Sequence, residues 1–284
     1  MKKNLLIVVI LAVCSIEMVK GQTVADSLAI VSACWKIENF QKGIVYKYAS
    51  IPQLYQGPQS ISLIEIDPVA GLKVGVAVSD KMKETSKIAS EYNAIAAING
   101  SYFDMKRGNS VCFLKADRQI IDTTMQSEFK LRVTGAINVR KGKIKLIPWS
   151  KQIEKEYEGE TGMVLASGPL MLKDGQICDW NSCGANFIRT KHPRSAVATT
   201  KEGKILLITV DGRFPEQAEG VNIPELAHLI RILGGEDALN LDGGGSTTLS
   251  LSGASDDGVV NYPCDNGRFD HAGERKVPNI LYIH

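Results

Sequence analysis

The stretch Asn240-Leu241-Asp242-Gly243-Gly244-Gly245-Ser246-Thr247-Thr248 joins a short apolar run, Ala238 to Leu241, to one carboxylate, three glycines and three hydroxyls. The apolar run reads as a buried strand that stops abruptly. Consecutive glycines cost backbone entropy, so they mark left-handed backbone or close approach of the chain to another group. A carboxylate at the mouth of such a turn, beside bare backbone N–H groups, suits an anionic or polyhydroxylated ligand. A tight loop with Asp242 capping the turn explains the same residues equally well.

The helix leading into this stretch is well signalled. Asn222 is its cap, Pro224 lies in the first turn, Glu225 completes a capping box and Gly234 ends it. Leu226, Leu229, Ile230 and Leu233 make its apolar face. A second unit has the same form. A helix over about Lys81 to Tyr92, capped by Ser79 or Asp80, precedes a short strand, Ala94 to Ile98. That strand runs into Asn99-Gly100-Ser101-Tyr102-Phe103-Asp104. Both polar turns are expected at one rim of a sheet. Further strands are expected at Ile44–Tyr48, Ser60–Ile66, Leu72–Val78, Val111–Leu114, Leu131–Val139 and Lys143–Ile147, with a helical segment from Ser150 to Glu160. A hairpin turning at Lys173-Asp174-Gly175, a pair formed by Arg194–Thr200 and Lys204–Val210, and a last strand, Val277–Ile283, complete the pattern. The fold class expected is α+β: a strand-rich mixed sheet with helices packed on it, in a single compact domain.

The chain has 284 residues, 44% of them hydrophobic, enough for a substantial core. Lys2 and Lys3 precede an apolar run, Leu5 to Val13, which is too short to span a bilayer and fits a secretory signal over residues 1–21. Cys14 offers an alternative lipid anchor, although Val13 departs from the small residue usual before such a cysteine. Residues 22–59 form a lead-in and 60–284 the main domain. The signal carries Lys2, Lys3 and Lys20 against Glu17, so the rest of the chain is close to neutral from a total of +2. With no basic patch interleaved with aromatics, nucleic acid is not an expected partner, and nothing beyond the signal is apolar enough to span a membrane. Export permits disulfides, and Cys178 with Cys183 is the best candidate pair. Cys112 fits a buried free thiol.

Candidate chemistry collects at strand ends: Asn99, Gly100 and Asp104; Ser167 and Gly168; Arg189, His192 and Arg194; Asp211 and Arg213; and Asp242 with Gly243, Gly244, Gly245 and Ser246. Arginine presents a planar fork suited to phosphate or carboxylate. Paired carboxylates suit cleavage of a glycosidic bond, one protonating the leaving oxygen and one acting as nucleophile or base. Each residue also has a plain structural use. Asp211 in Asp-Gly-Arg can make a turn, Asp104 can fix the loop after Phe103, and His192 can shape the loop before Pro193. The histidines form no zinc-ligand pattern, the glycine run is neither a P-loop nor a dinucleotide fingerprint, and no Gly-x-Ser-x-Gly elbow exists. Asp242, Asp256 and Asp257 lack the spacing of an EF-hand loop. No cofactor is expected, with a divalent cation left open.

Asn240-Leu-Asp-Gly-Gly-Gly-Ser-Thr-Thr-Leu249 resembles the signature of the phosphodiester glycosidase family. The resemblance extends through Ala97-Ile-Asn-Gly-Ser-Tyr-Phe103, Ser167-Gly-Pro-Leu170, His192-Pro-Arg-Ser-Ala196, Val210-Asp-Gly-Arg213, the Glu225 helix and Arg275-Lys-Val-Pro-Asn279, over roughly residues 60 to 284. It implies removal of a sugar from a sugar-1-phosphodiester, leaving a phosphomonoester. The expected substrate is a phosphorylated glycan or small sugar phosphodiester of the cell envelope. Combined with the residues, this makes Arg194 and Arg213 phosphate ligands, the glycine-run amides and Ser246 contacts to phosphate or sugar hydroxyls, Asp242 and Asp211 the acid/base or nucleophile candidates, and Asn99 and Asp104 sugar-orienting groups, Asp104 also standing as a third catalytic candidate. Two rivals are a phosphodiesterase that breaks the P–O bond and a non-catalytic glycan-binding protein.

Overall fold

The computed structural model describes residues 23–116, 119–157 and 162–284. The expected signal segment and Cys14 lie outside the described residues. The α+β class holds. The strands are divided among three sheets, and every strand pair in them is antiparallel. The largest sheet has eight strands, in the spatial order Lys36–Gln41, Ile44–Leu54, Gly57–Ile66, Ile205–Val210, Arg194–Thr200, Gly235–Asn240, Leu170–Lys173 and Gln176–Ile177. A five-stranded sheet runs Gln119–Asp122, Leu114–Ala116, Met163–Ser167, Gly135–Arg140 and Lys143–Pro148. A four-stranded sheet runs Leu249–Leu251, Ala96–Asn99, Val277–Ile283 and Val74–Lys83.

The three sheets enclose one core, to which Ile64, Val76, Ile98, Leu165, Val197, Leu239 and Leu281 all contribute. The opposite face of the eight-stranded sheet is covered by helices Val24–Val31 and Ile223–Ile232, with Ile30, Leu226, Leu229 and Ile230 packed on Leu63, Ala196, Leu206 and Ile208. The strand Ile205–Val210 is therefore buried on both sides, Leu207 facing one core and Leu206 and Ile208 the other, which accounts for its unbroken apolar run. Helix Ile223–Ile232 starts as its sequence prescribes: Glu225 N–H donates to Asn222 Oδ1 at 2.9 Å and Asn222 N–H donates to Glu225 Oε2 at 2.9 Å. Replacing Asn222 by Ala is expected to lower stability by about 1 kcal/mol, read as a fall in thermal midpoint.

Several expected boundaries move. The helix expected from Lys81 is confined to Thr85–Glu91, because the preceding strand stays paired as far as Lys83, opposite Val277. Residues Val111 to Phe113 are buried but irregular, and only Leu114–Ala116 is strand. The strand expected from Leu131 begins at Gly135, after a helix, Gln126–Leu131, that leaves Arg132 in the bend between them. The lead-in is an integral part of the large sheet. A boundary at residue 60 falls inside strand Gly57–Ile66, which pairs along its length with Ile44–Leu54. Helix Val24–Val31 is tied to helix Ile223–Ile232 through His228, whose ring nitrogens meet Ser27 Oγ at 2.9 Å and Tyr55 Oη at 2.7 Å. Cys178 and Cys183 are free thiols. Among the described residues, no helix is long and apolar enough to cross a membrane.

Candidate active site

The two polar turns meet, but not on one sheet rim. Asn99 ends a strand of the four-stranded sheet and Asn240 ends one of the eight-stranded sheet. Where these sheets converge, Asn99 Nδ2 donates to the carbonyl of Asp242 at 2.7 Å, and Asp242 N–H donates to the carbonyl of Gly100 at 3.0 Å. Asn99 Oδ1 accepts from Ser195 Oγ at 2.6 Å and Thr248 N–H at 3.1 Å, so one buried amide fixes three segments. Asn240 plays the matching part, with Nδ2 donating to Gly168 O at 2.9 Å and making a 2.8 Å contact with Tyr102 Oη. Both asparagines act on the scaffold of the turn, not on its open face.

The carboxylate of Asp242 accepts from Gly243 N–H at 3.0 Å. Burial raises its pKa above the ordinary carboxylate range, opposed by the Ser246 hydroxyl and then by the positive charge of Arg132, the Gly243 N–H and Arg275. Arg132 lies face-on over Tyr102, 3.6 Å from the ring centroid, and its Nε donates to Glu128 Oε2 at 2.7 Å. Arg275 Nε and Nη2 donate to Asp265 Oδ1 at 3.0 and 2.5 Å. The glycines admit these groups. A Cβ on Gly245 would overlap both the Arg275 guanidinium and the Asp265 carboxylate, while Gly244 has φ +61° and a Cβ there would sit 2.8 Å from Arg213 Nη2. The triple glycine thus lets two arginines lie directly against the backbone beside Asp242.

The other expected site residues separate into those at this centre and those beneath or away from it. Arg213 is exposed over Gly244, with Nη1 3.7 Å from Cys264 Sγ. His192 is half-buried, its pKa lowered by desolvation and then by Arg194 and Arg213. Arg194 is only 2% exposed, and burial lowers its pKa to about 10. Its Nε donates to Val221 O at 3.1 Å, and Nη2 donates to Phe187 O at 3.1 Å and Thr190 O at 2.9 Å. Three of its five N–H groups therefore hold backbone, which makes it a brace before it is a phosphate clamp. Ser167 Oγ is fully buried with no partner within the protein, and Gly168 serves through its carbonyl. Arg189 is exposed on helix Ala185–Arg189, where it lines a separate 280 Å³ pocket with Cys178 and Cys183.

Asp211 and Asp104 take plain structural roles. Asp211 is fully buried and receives Ser60 Oγ at 2.7 Å on Oδ2, and Asn261 Nδ2 at 2.8 Å and Tyr262 N–H at 3.0 Å on Oδ1. Asp104 Oδ1 accepts from the N–H groups of Lys106 and Arg107 at 2.8 and 3.1 Å, closing its own loop. The glycine-run amides are also largely engaged within the protein: Gly243 N–H on Asp242, Gly244 N–H on Pro193 O at 2.9 Å and Ser246 N–H on Gly243 O at 3.2 Å. Arg132 and Arg275 were not among the expected site residues. Arg275 lay inside a matched motif; Arg132 carried no signal, because a lone arginine in an apolar segment reads as a surface residue. Among the described residues, no three His, Cys, Asp or Glu side chains converge as a metal site, and Asp256 and Asp257 lie on a 3₁₀ turn.

Residues 92–284 match the phosphodiester glycosidase family. Among curated proteins, the chain is 24% identical to the mouse N-acetylglucosamine-1-phosphodiester alpha-N-acetylglucosaminidase over 66% of its own length and 37% of the relative's. It is 24% identical to the human protein of the same name, over 72% of this chain and 39% of that one. The chain thus spans well under half of the length of these relatives. Among solved structures, the zebrafish N-acetylglucosamine-1-phosphodiester alpha-N-acetylglucosaminidase catalytic domain, auto-inhibited by its pro-peptide, superposes with a TM-score of 0.66 at 20% identity, covering 87% of this chain and 85% of that one. A hypothetical protein from Synechocystis gives 0.62 at 16% identity, over 88% of this chain and 63% of that one. With more than half of its length matched and the signature motif standing at the meeting point of its sheets, the chain belongs to the phosphodiester glycosidase family.

Proposed function

We propose that the chain hydrolyses the bond between the anomeric carbon and the phosphate oxygen of a sugar-1-phosphodiester, with N-acetylglucosamine the first sugar to test. The observation that carries this is Asp242, a half-buried carboxylate under the positive charge of Arg132 and Arg275, followed by three glycines that let Arg213 and Arg275 lie against the backbone. In this reading, Asp242 serves the anomeric carbon, as nucleophile or as base for water. Arg213 and Arg275, which lie against Gly244 and Gly245, hold the phosphate. The C–O bond breaks with its electrons passing to the phosphate oxygen, and water supplies the hydroxyl of the released sugar. A phosphate is already a good leaving group, so the arginines contribute most by stabilising its departing charge. Asp242 is preferred to Asp211, both of whose oxygens are taken by buried donors, and to Asp104, whose Oδ1 closes its own loop.

The test is hydrolysis of N-acetylglucosamine-1-phosphomethyl ester in oxygen-18 water. Label in the released sugar is expected; label in the phosphate would show P–O cleavage, and no product with saturable binding would show a non-catalytic binding protein. Replacing the exposed Arg213 by Gln is expected to raise KM by about tenfold with little change in thermal midpoint, since a charge-assisted contact to phosphate is lost. Steady-state kinetics on the same ester checks this. We further propose export as the setting of this activity, on the strength of Lys2, Lys3 and the apolar run that follows.

A further inference from the structure

A second concave site lies between the lead-in and the family domain. It is a cleft of about 660 Å³, walled on one side by Lys36, Tyr46 and Tyr48 of the first hairpin and on the other by Val260, Tyr262 and His271. That volume is within the range of small-molecule and saccharide pockets, which favour seams between structural units. One wall belongs to residues ahead of the family match at 92–284 and the other to residues within it. The seam is closed at its base by Tyr46 Oη, which donates to Val260 O at 2.7 Å.

The lining is aromatic and polar together. Tyr262 and His271 stack with centroids 4.4 Å apart, and Tyr48 stands 6.0 Å from Tyr262 with the Lys36 ammonium 5.7 Å from its own ring centroid. These rings are half-buried, presenting apolar surface alongside hydroxyl, imidazole and ammonium groups. Such a mixture complements a sugar, whose C–H face is apolar and whose rim is hydroxylated. Packed rings link the cleft to the segment that carries Arg213. Phe214, next to Arg213, meets Phe269 edge-on at 5.2 Å, and Phe269 stacks on Tyr262 at 4.1 Å. A continuous line of rings therefore runs from the arginine proposed to hold phosphate to the cleft. The same segment is wired to the glycine run through Asn261, which donates to both Asp211 Oδ1 and Thr247 O.

We propose that this cleft is a glycan subsite that holds sugar residues attached on the phosphate side of the substrate. The assignment of the phosphate side rests on the glycosidase reading, whereas binding of sugar in the cleft does not.

The experiment is calorimetric titration of the protein with unphosphorylated maltotriose, chitotriose and mannotriose, repeated on Tyr48→Ala and Lys36→Ala. Saturable binding of at least one trisaccharide, weakened about tenfold by Tyr48→Ala at an unchanged thermal midpoint, is expected. No binding of any of the three, or binding that both variants leave intact, would overturn the subsite. In parallel, N-acetylglucosamine-1-phosphate esterified to the bound trisaccharide is compared with the methyl ester. A lower KM for the glycan ester in the wild type, lost in Tyr48→Ala while kinetics on the methyl ester are unchanged, supports its place on the phosphate side. Equal KM values would remove it. Absence of turnover on both esters would defeat the glycosidase reading while leaving the titration to decide whether the cleft binds sugar.

Discussion

Asp242→Asn is expected to lower kcat on a sugar-1-phosphodiester by at least about a thousandfold while leaving the protein folded. The asparagine keeps the shape, and its Oδ1 can still accept the Gly243 N–H that now reaches Asp242. The ties that position the turn, from Asn99 Nδ2 to the Asp242 carbonyl and from Asp242 N–H to the Gly100 carbonyl, use only the backbone of Asp242, which the substitution does not touch. What disappears is the negative charge, and with it the nucleophile or base. Burial raises the pKa of Asp242, so an ionised carboxylate in the free enzyme places the acid limb of the kcat/KM profile above the ordinary 3.8 of an aspartate. Single-turnover kinetics with a thermal midpoint for the variant checks the first point, and a pH profile of the wild type the second. Full activity in a folded Asp242→Asn protein would reject the assignment.

Asp211 should behave in the opposite way. Asp211→Ala is expected to cost about 3 kcal/mol or more, because Ser60 Oγ, Asn261 Nδ2 and Tyr262 N–H all lose a buried acceptor. Asp211→Asn should remain folded and active. Its carbonyl can accept from Asn261 and Tyr262, and its amide can donate to a reoriented Ser60 hydroxyl. Stability against pH separates the two variants further. Burial raises the Asp211 pKa from 3.8 to about 6, so the native state holds a proton that the unfolded chain releases across that interval. The corresponding stabilisation is full below about pH 4 and is lost as pH rises to about 6, amounting to up to about 3 kcal/mol. Asp211→Asn, which never ionises, should flatten this decline. Urea titrations at pH 4, 5, 6 and 7 would reveal it; an inactive but stable Asp211→Asn protein would return Asp211 to the catalytic group.

What could be read from the chain follows a physical division. The strand Val277–Ile283, the hairpin around Asp174 and the capped helix after Asn222 were legible because their determinants are local: apolar runs, turn residues and a capping box. The start of helix Thr85–Glu91 was not, because the preceding strand continues to Lys83 on account of a partner almost two hundred residues away. The same distinction runs through the site. Asp242 announced itself through the glycines beside it. Arg194 and Asp211 have the right chemistry in the right motifs, yet their remaining partners, the carbonyls of Phe187, Thr190 and Val221 and the donors of Ser60 and Asn261, turn both into structural members. Arg132 shows the converse: a residue without a motif that tertiary structure brings to Asp242.

The amide of Asn99 has a consequence for how the protein comes to be functional at all. It reaches Asp242 across 143 positions of chain, and Ser60 reaches Asp211 across 151. Closing loops of that length is entropically unfavourable until many other contacts exist, so topologies dominated by such pairings fold slowly. The catalytic arrangement should therefore appear only with the last cooperative step of folding. Recovery of activity during refolding should lag behind recovery of helical and sheet signal, and no partly folded species should carry turnover.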